Sequence, residues 1–94
     1  MSVVIPAYNA GQWIEPTLRS VLAQTYAADE IVVVNDASTD DTAGACRRVA
    51  RRRTRVPIVY HEHDGRQGGG ATRNTGVRIA SGDWILNVDA DDIV

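Results

Sequence analysis

The residues best suited to chemistry are carboxylates: Asp89, Asp91 and Asp92 follow one apolar run, and Asp36 directly follows another. Along an extended chain Asp89 and Asp91 project to the same side while Ala90 points away, so the two can converge on one hard cation. Asp92 faces elsewhere. A Mg²⁺ or Mn²⁺ ion held by one or two carboxylates keeps coordination positions open for phosphate oxygens, which suits activation of a diphosphate leaving group. The plain alternative is a solvated acidic turn, the ordinary reading of an isolated D-x-D. Position after an apolar strand and opposite a second strand-end acid favours the ligand. Asp36 itself has two readings that its position does not separate: a helix cap, or an acceptor of hydrogen bonds from a nucleobase or ribose.

Other groups are weaker candidates. Gly68, Gly69 and Gly70 precede a helix, where free N–H groups attract anions. The chain has no lysine for a Walker loop and only Gly11 after its first strand, which removes a Rossmann fingerprint. The glycines therefore read as a mobile loop, with Arg73 in the next turn as the specific group. His61 and His63 could form a metal pair, but no third ligand accompanies them. Cys46 lies on a helical stripe and reads as core. The arginines from Arg47 to Arg55 read as a solvated face, because cations are favoured at a helix C-terminus.

These residues need elements to position them. Four Val/Ile-dense runs, Ser2 to Ala7, Glu30 to Asn35, Pro57 to His61 and Asp83 to Val88, have the composition of buried parallel strands. Ile14, Leu18, Val21 and Leu22 recur at helical spacing within Gln12 to Gln24, with Pro16 tolerable near the first turn. A second helix follows the natural caps Ser38 and Thr39, burying Ala43, Cys46, Val49 and Ala50. A third runs from about Ala71 to Ala80, with a small-residue face of Ala71, Gly76 and Ala80, and stops at Gly82 through a left-handed cap. The order β-α-β-α-β-α-β implies an α/β fold, a three-layer α/β/α Rossmann-like sheet that is mainly parallel, with every helix-entering loop on one edge. Ligands bind at that edge.

With 94 residues, 44% of them hydrophobic, the chain suits one small globular unit. A net charge of -2 supplies no global field for nucleic acid or an anionic membrane. No apolar run approaches the roughly 18 to 20 residues of a membrane span. The lone Cys46 allows no internal disulfide, and Pro6 interrupts the N-terminal apolar stretch before a signal sequence develops. The expectation is a soluble, cytoplasmic protein.

Taken together, Val3-Val4-Ile5-Pro6-Ala7-Tyr8-Asn9, Val34-Asn35-Asp36-Ala37-Ser38-Thr39-Asp40, Ala71-Thr72-Arg73-Asn74-Thr75-Gly76 and Asp89-Ala90-Asp91-Asp92 resemble the family 2 glycosyltransferases, with Ser20 to Tyr26 as a further typical segment. The resemblance covers essentially the whole chain. It implies a GT-A fold, a nucleotide-diphosphate sugar donor (UDP being the family's commonest nucleotide), a divalent cation and inverting transfer to an acceptor hydroxyl. Carried over by position, Ala7 and Tyr8 border the nucleotide, Asp36 contacts the base, Arg73 lines the pocket, Asp89 lies near the ribose and Asp91 binds the metal. Family members continue past the equivalent of Val94 into an acceptor-binding region that supplies the catalytic base. The expectation for residues 1–94 is therefore a partial GT-A domain with no catalytic base, inactive by itself. A second reading, a non-catalytic module, has the strand Trp84 to Val88 as a bare edge through which the chain self-associates.

Overall fold

A computed structural model describes residues 1–24, 28–52, 54 and 56–89. The element order is β1 (Ser2–Ala7), α1 (Ile14–Gln24), β2 (Glu30–Asn35), α2 (Thr42–Ala50), β3 (Ile58–Glu62), α3 (Gly69–Ile79) and β4 (Ile85–Asn87). The four strands form one parallel sheet in the order β3-β2-β1-β4. This is the expected α/β architecture, with β1 and β2 interior and β3 and β4 at the edges.

Burial follows from that order. Strands β1 and β2 have a sheet neighbour on each side and helices above and below, and each is buried almost throughout. Their uninterrupted apolar runs are what two buried faces require. Alternation then divides the side chains. Val3, Ile5, Ile31 and Val33 join Ile14, Leu18 and Val21 of α1 and Ala45, Cys46 and Val49 of α2 in one core, whereas Val4, Val32 and Val34 form a smaller core on the opposite face with Ile79 and Ala80. Each fully buried Val, Leu or Ile contributes about 1.5–3 kcal/mol. The edge strands are only partly covered, and β4 is preceded by Trp84 at 77% exposure.

Pro16 is the third residue of α1, where its missing N–H would have had no partner within the helix. The stripe buried on α2 is Thr42, Ala45, Cys46 and Val49, so Ala43 and Ala50 are replaced as core residues by neighbours one position away. On α3 the buried residues are Thr72, Thr75 and Gly76, with Ala71 and Ala80 half-buried at the margin. Gly76 permits that packing: a Cβ there would lie 2.3 Å from Val4 Cγ1.

Two expected helix signals have other jobs. Ser38 and Thr39 do not cap α2, which begins at Thr42 with Asp41 in the N-cap position and no side-chain cap. Instead the Ser38 hydroxyl accepts from Asn9 N–H at 3.0 Å, and Thr39 N–H donates to Asn9 Oδ1 at 2.8 Å, joining the loops that leave β1 and β2. Gly82 is not a left-handed cap either, since α3 ends at Ile79 and its C-cap Ala80 is extended. Its role is close approach: a Cβ on Gly82 would meet Ser2 Oγ at 2.5 Å, and its N–H donates to that oxygen at 2.9 Å. Beneath it, the buried Glu30 carboxylate accepts from Ser81 N–H and from the hydroxyls of Ser2 and Ser81.

Candidate functional site

All three helix-entering loops leave from the carboxyl ends of the strands, and a pocket of about 190 Å³ opens there. Its lining comes from every strand end: Pro6, Ala7 and Tyr8 after β1, Asp36 after β2, Arg66 and Gly69 after β3, Thr72 and Arg73 on α3, and Asp89 after β4. Ala7, Tyr8, Asp36, Arg73 and Asp89, separated widely in sequence, thus share one cavity. Asp91 and Asp92 lie outside the described residues.

Asp36 is 2% exposed and occupies the floor. It does not cap α2, and it holds the loop that follows β3. Its Oδ1 accepts from His63 Nδ1–H at 2.8 Å and from Gln67 N–H at 2.8 Å, and its Oδ2 accepts from Gly68 N–H at 2.9 Å. Burial by itself would raise the pKa of this carboxyl; hydrogen bonds from His63, Gln67 and Gly68, with the attraction of His63, outweigh it and hold the value to about 2. Asp36 is therefore ionised at any ordinary pH. The glycine loop is set by that anion, and Gly68, at φ 94°, adopts a backbone that favours glycine.

Ala37, next along, has φ 55°, and Asn9 on the neighbouring loop has φ 49°. Left-handed backbone costs a residue with a Cβ about 1–2 kcal/mol. Asn9 is compensated by the hydrogen bonds to Ser38 and Thr39; these two sharp turns carry the chain away from the sheet beside Tyr8 and Asp36.

The walls are cationic and aromatic. Arg66 lies over the Tyr8 ring, with Cζ 3.8 Å from the centroid. Arg73, in the first turns of α3, reaches Asp89 at 3.4 Å, and both are exposed. A pocket with two guanidinium groups, an aromatic face and a buried anion can hold a ligand that combines a flat polar ring with negative charge. Three N–H donors already hold Asp36, so Asp89 is the pocket carboxylate more open to a cation. Among the described residues there is no group of three or more His, Cys, Asp or Glu able to hold a metal ion. A Mg²⁺ or Mn²⁺ that shares its coordination with substrate phosphates needs only one or two carboxylates, and the pocket fits that requirement.

Three contributors, His63, Arg66 and Thr72, escape a reading by sequence pattern. His63 does not pair with His61 on a metal: both of its ring nitrogens are engaged, and the two rings meet edge to face at 5.9 Å. Arg66 and Thr72 carry no spacing signal, though Arg66 lies in the glycine loop. The described part of the Arg47 to Arg55 run is exposed and paired in places with acids, Arg48 with Asp41 and Arg52 with Glu15.

A parallel sheet with a pocket at the carboxyl ends of its strands defines a Rossmann-like α/β protein, and comparison with known proteins gives the particular family, whose solved structures have the GT-A fold. Residues 2–94 match the model of the family described as Glycosyl transferase family 2, and the chain belongs to that family. It is 37% identical over 94 residues to the glycosyltransferase GlyG of Streptococcus pneumoniae, covering all of this chain and 31% of GlyG. Among solved structures it is similar to the mannosyltransferase PcManGT from Pyrobaculum calidifontis in complex with GDP-Man and Mn²⁺ (37% identity, TM-score 0.88, 96% of this chain and 27% of that one). It also resembles S. aureus TarS 1-349 in complex with UDP-GlcNAc (30% identity, TM-score 0.83, 96% and 26% covered). The chain thus spans about a third or less of the length of these relatives. No helix among the described residues is long and apolar enough to cross a membrane.

Proposed function

We propose that this chain is the donor-binding part of an inverting glycosyltransferase that takes a nucleotide-diphosphate sugar with Mn²⁺ or Mg²⁺ and passes the sugar to an acceptor hydroxyl. The observation that carries the reading is the convergence of Ala7, Tyr8, Asp36, Arg73 and Asp89 from all sides of one sheet edge into a single pocket. In this reading Tyr8 and Ala7 flank the base and Asp36 accepts from it. Arg73 offsets phosphate charge, and Asp89 lies by the ribose. Asp91 is the proposed metal ligand. When bound, the cation neutralises charge on the diphosphate leaving group. The relatives' complexes with GDP-Man and with UDP-GlcNAc support a nucleotide sugar, and the one containing Mn²⁺ supports the cation. UDP is the first nucleotide to try.

Calorimetric titration with UDP and GDP, with and without Mn²⁺, tests the proposal. Metal-dependent binding of either, abolished by Asp91→Ala, is the expected result. A chain that is folded by circular dichroism and binds neither nucleotide overturns it.

A second reading, association through the β4 edge, is favoured by the exposure of Trp84 and Leu86. Sedimentation velocity decides it: concentration-dependent dimerisation that Trp84→Ser removes supports this use of the edge, and a monomer at all concentrations dismisses it.

A further inference from the structure

Beneath the pocket a buried chain of three side chains links the sheet to α3. His63, 6% exposed, directs Nδ1–H to Asp36 Oδ1 at 2.8 Å and holds Nε2 2.9 Å from Thr75 Oγ1. The partners come from different elements: Asp36 follows β2, His63 follows β3, and Thr75 lies within α3. We infer that His63 is a positioning residue for donor recognition, which acts by fixing which lone pair of Asp36 faces the ligand; this rests on the donor-site reading above.

A carboxylate has about four acceptor sites, two per oxygen. His63 and Gln67 N–H fill both on Oδ1, and Gly68 N–H fills one on Oδ2. One site remains, on the Oδ2 of a residue that lines the pocket. An acceptor so restricted selects a ligand group that carries a hydrogen, such as the imino N–H of uracil or guanine. Of the three donors only His63 is a side chain. The other two are amides of the glycine loop, whose own position depends on Asp36. His63 is braced independently by Thr75, which in turn accepts from Arg78 at 3.2 Å.

The brace works in either protonation state of the imidazole. The Thr75 hydroxyl hydrogen has two acceptors in reach, His63 Nε2 and the Ala71 carbonyl at 3.0 Å. It donates to Nε2 when the ring is neutral; when the ring is charged, Nε2–H donates to Thr75 and the hydroxyl turns to Ala71. Nδ1–H keeps its bond to Asp36 in both.

The test compares UDP with N3-methyl-UDP, which lacks the imino hydrogen, in the full chain with Mn²⁺. If the native chain prefers GDP, GDP and N1-methyl-GDP replace them. His63→Leu is expected to weaken UDP about tenfold while changing N3-methyl-UDP less than about twofold, because a charge-assisted hydrogen bond is worth roughly that factor. His63→Asn, whose amide nitrogen sits where Nδ1 does, is expected to restore UDP to within about threefold of native. Equal weakening of both ligands by His63→Leu, or no rescue by Asn, overturns the inference and leaves His63 a purely structural residue. If Leu at position 63 prevents folding, the Asn variant decides: a retained preference for UDP over its methylated form supports the inference, and a lost preference overturns it. A native chain that binds neither nucleotide overturns the donor-site reading itself, an outcome distinct from these.

Discussion

On one face of the sheet, Val3, Ile5, Ile31 and Val33 meet Ile14, Leu18 and Val21 of α1 and Ala45, Cys46 and Val49 of α2. On the other face Val4, Val32 and Val34 pack with Ile79 and Ala80 and meet α3 closely at Gly76, and a further attachment runs through hydrogen bonds such as that of His63 to Thr75. The first face is held by apolar area, which is non-directional and forgiving of small displacements. The second is held by close approach and by bonds with fixed geometry, and that face carries Arg73 and the glycine loop. A ligand pocket needs directions as well as cohesion, and the difference in material follows the difference in task.

Four substitutions test that contrast. The largest effect is expected from Leu18→Ala on the apolar face, which removes a fully buried side chain and should lower unfolding free energy by about 3 kcal/mol. Urea melts should record that loss, with nucleotide affinity unchanged below the transition; an affinity that falls in step would show that the faces are not separable. Gly76→Ala should cost about 2 kcal/mol, because its Cβ would press on the buried Val4. Unlike Leu18→Ala, it should also weaken nucleotide binding by moving α3, and calorimetry on the folded variant checks this.

Acid probes the polar side. Asp36 has its folded pKa near 2 against an ordinary 3.8, so between those values the unfolded chain binds more protons and stability rises with pH. The contribution, on the order of 2 kcal/mol, is complete above about pH 4 and is lost as pH falls towards 2. Glu30, whose pKa is lowered by hydrogen bonds from Ser81 and Ser2 against the effect of burial, adds a slope of the same sign. Urea melts at stepped pH should show Asp36→Asn with a shallower acid slope than native and a residual one from Glu30; an unaltered slope would mean that Asp36 is not the anion the geometry indicates. Smallest of all, Arg52→Ala breaks an exposed pair with Glu15 and should change stability by less than about 1 kcal/mol, leaving nucleotide titration as it was.

The order of elements and the sheet edge that bears the pocket were legible in the sequence because they rest on strong, local patterns. Runs such as Val32-Val33-Val34 and helical spacing such as Ile14, Leu18 and Val21 report burial directly. Where legibility failed, the residue had two physically sound uses. Ser38 and Thr39 can cap a helix or bind a neighbouring loop, and nothing nearby in the chain says that Asn9 will be opposite them. Gly82 can supply a left-handed turn or admit Ser2, and the second use depends on a partner separated by 80 positions. His63 was visible as a histidine near a strand end, but its function depends on Asp36 and Thr75, which only the tertiary fold brings to its two nitrogens. Ala37 gave no signal at all, since alanine does not advertise a positive φ.

The strand order also sets a timetable. β1 is synthesised before the other three strands, yet it lies inside the sheet between β2 and β4. Ser2 meets Glu30 across 28 positions, whereas its bond with Gly82 spans 80. At translation speeds of about 5–20 residues per second, one side of β1 waits several seconds longer than the other for its partner. During that interval the nascent chain presents Val3 to Ile5 along an unpaired edge, so a strand buried almost throughout in the folded sheet depends on protection while it is being made.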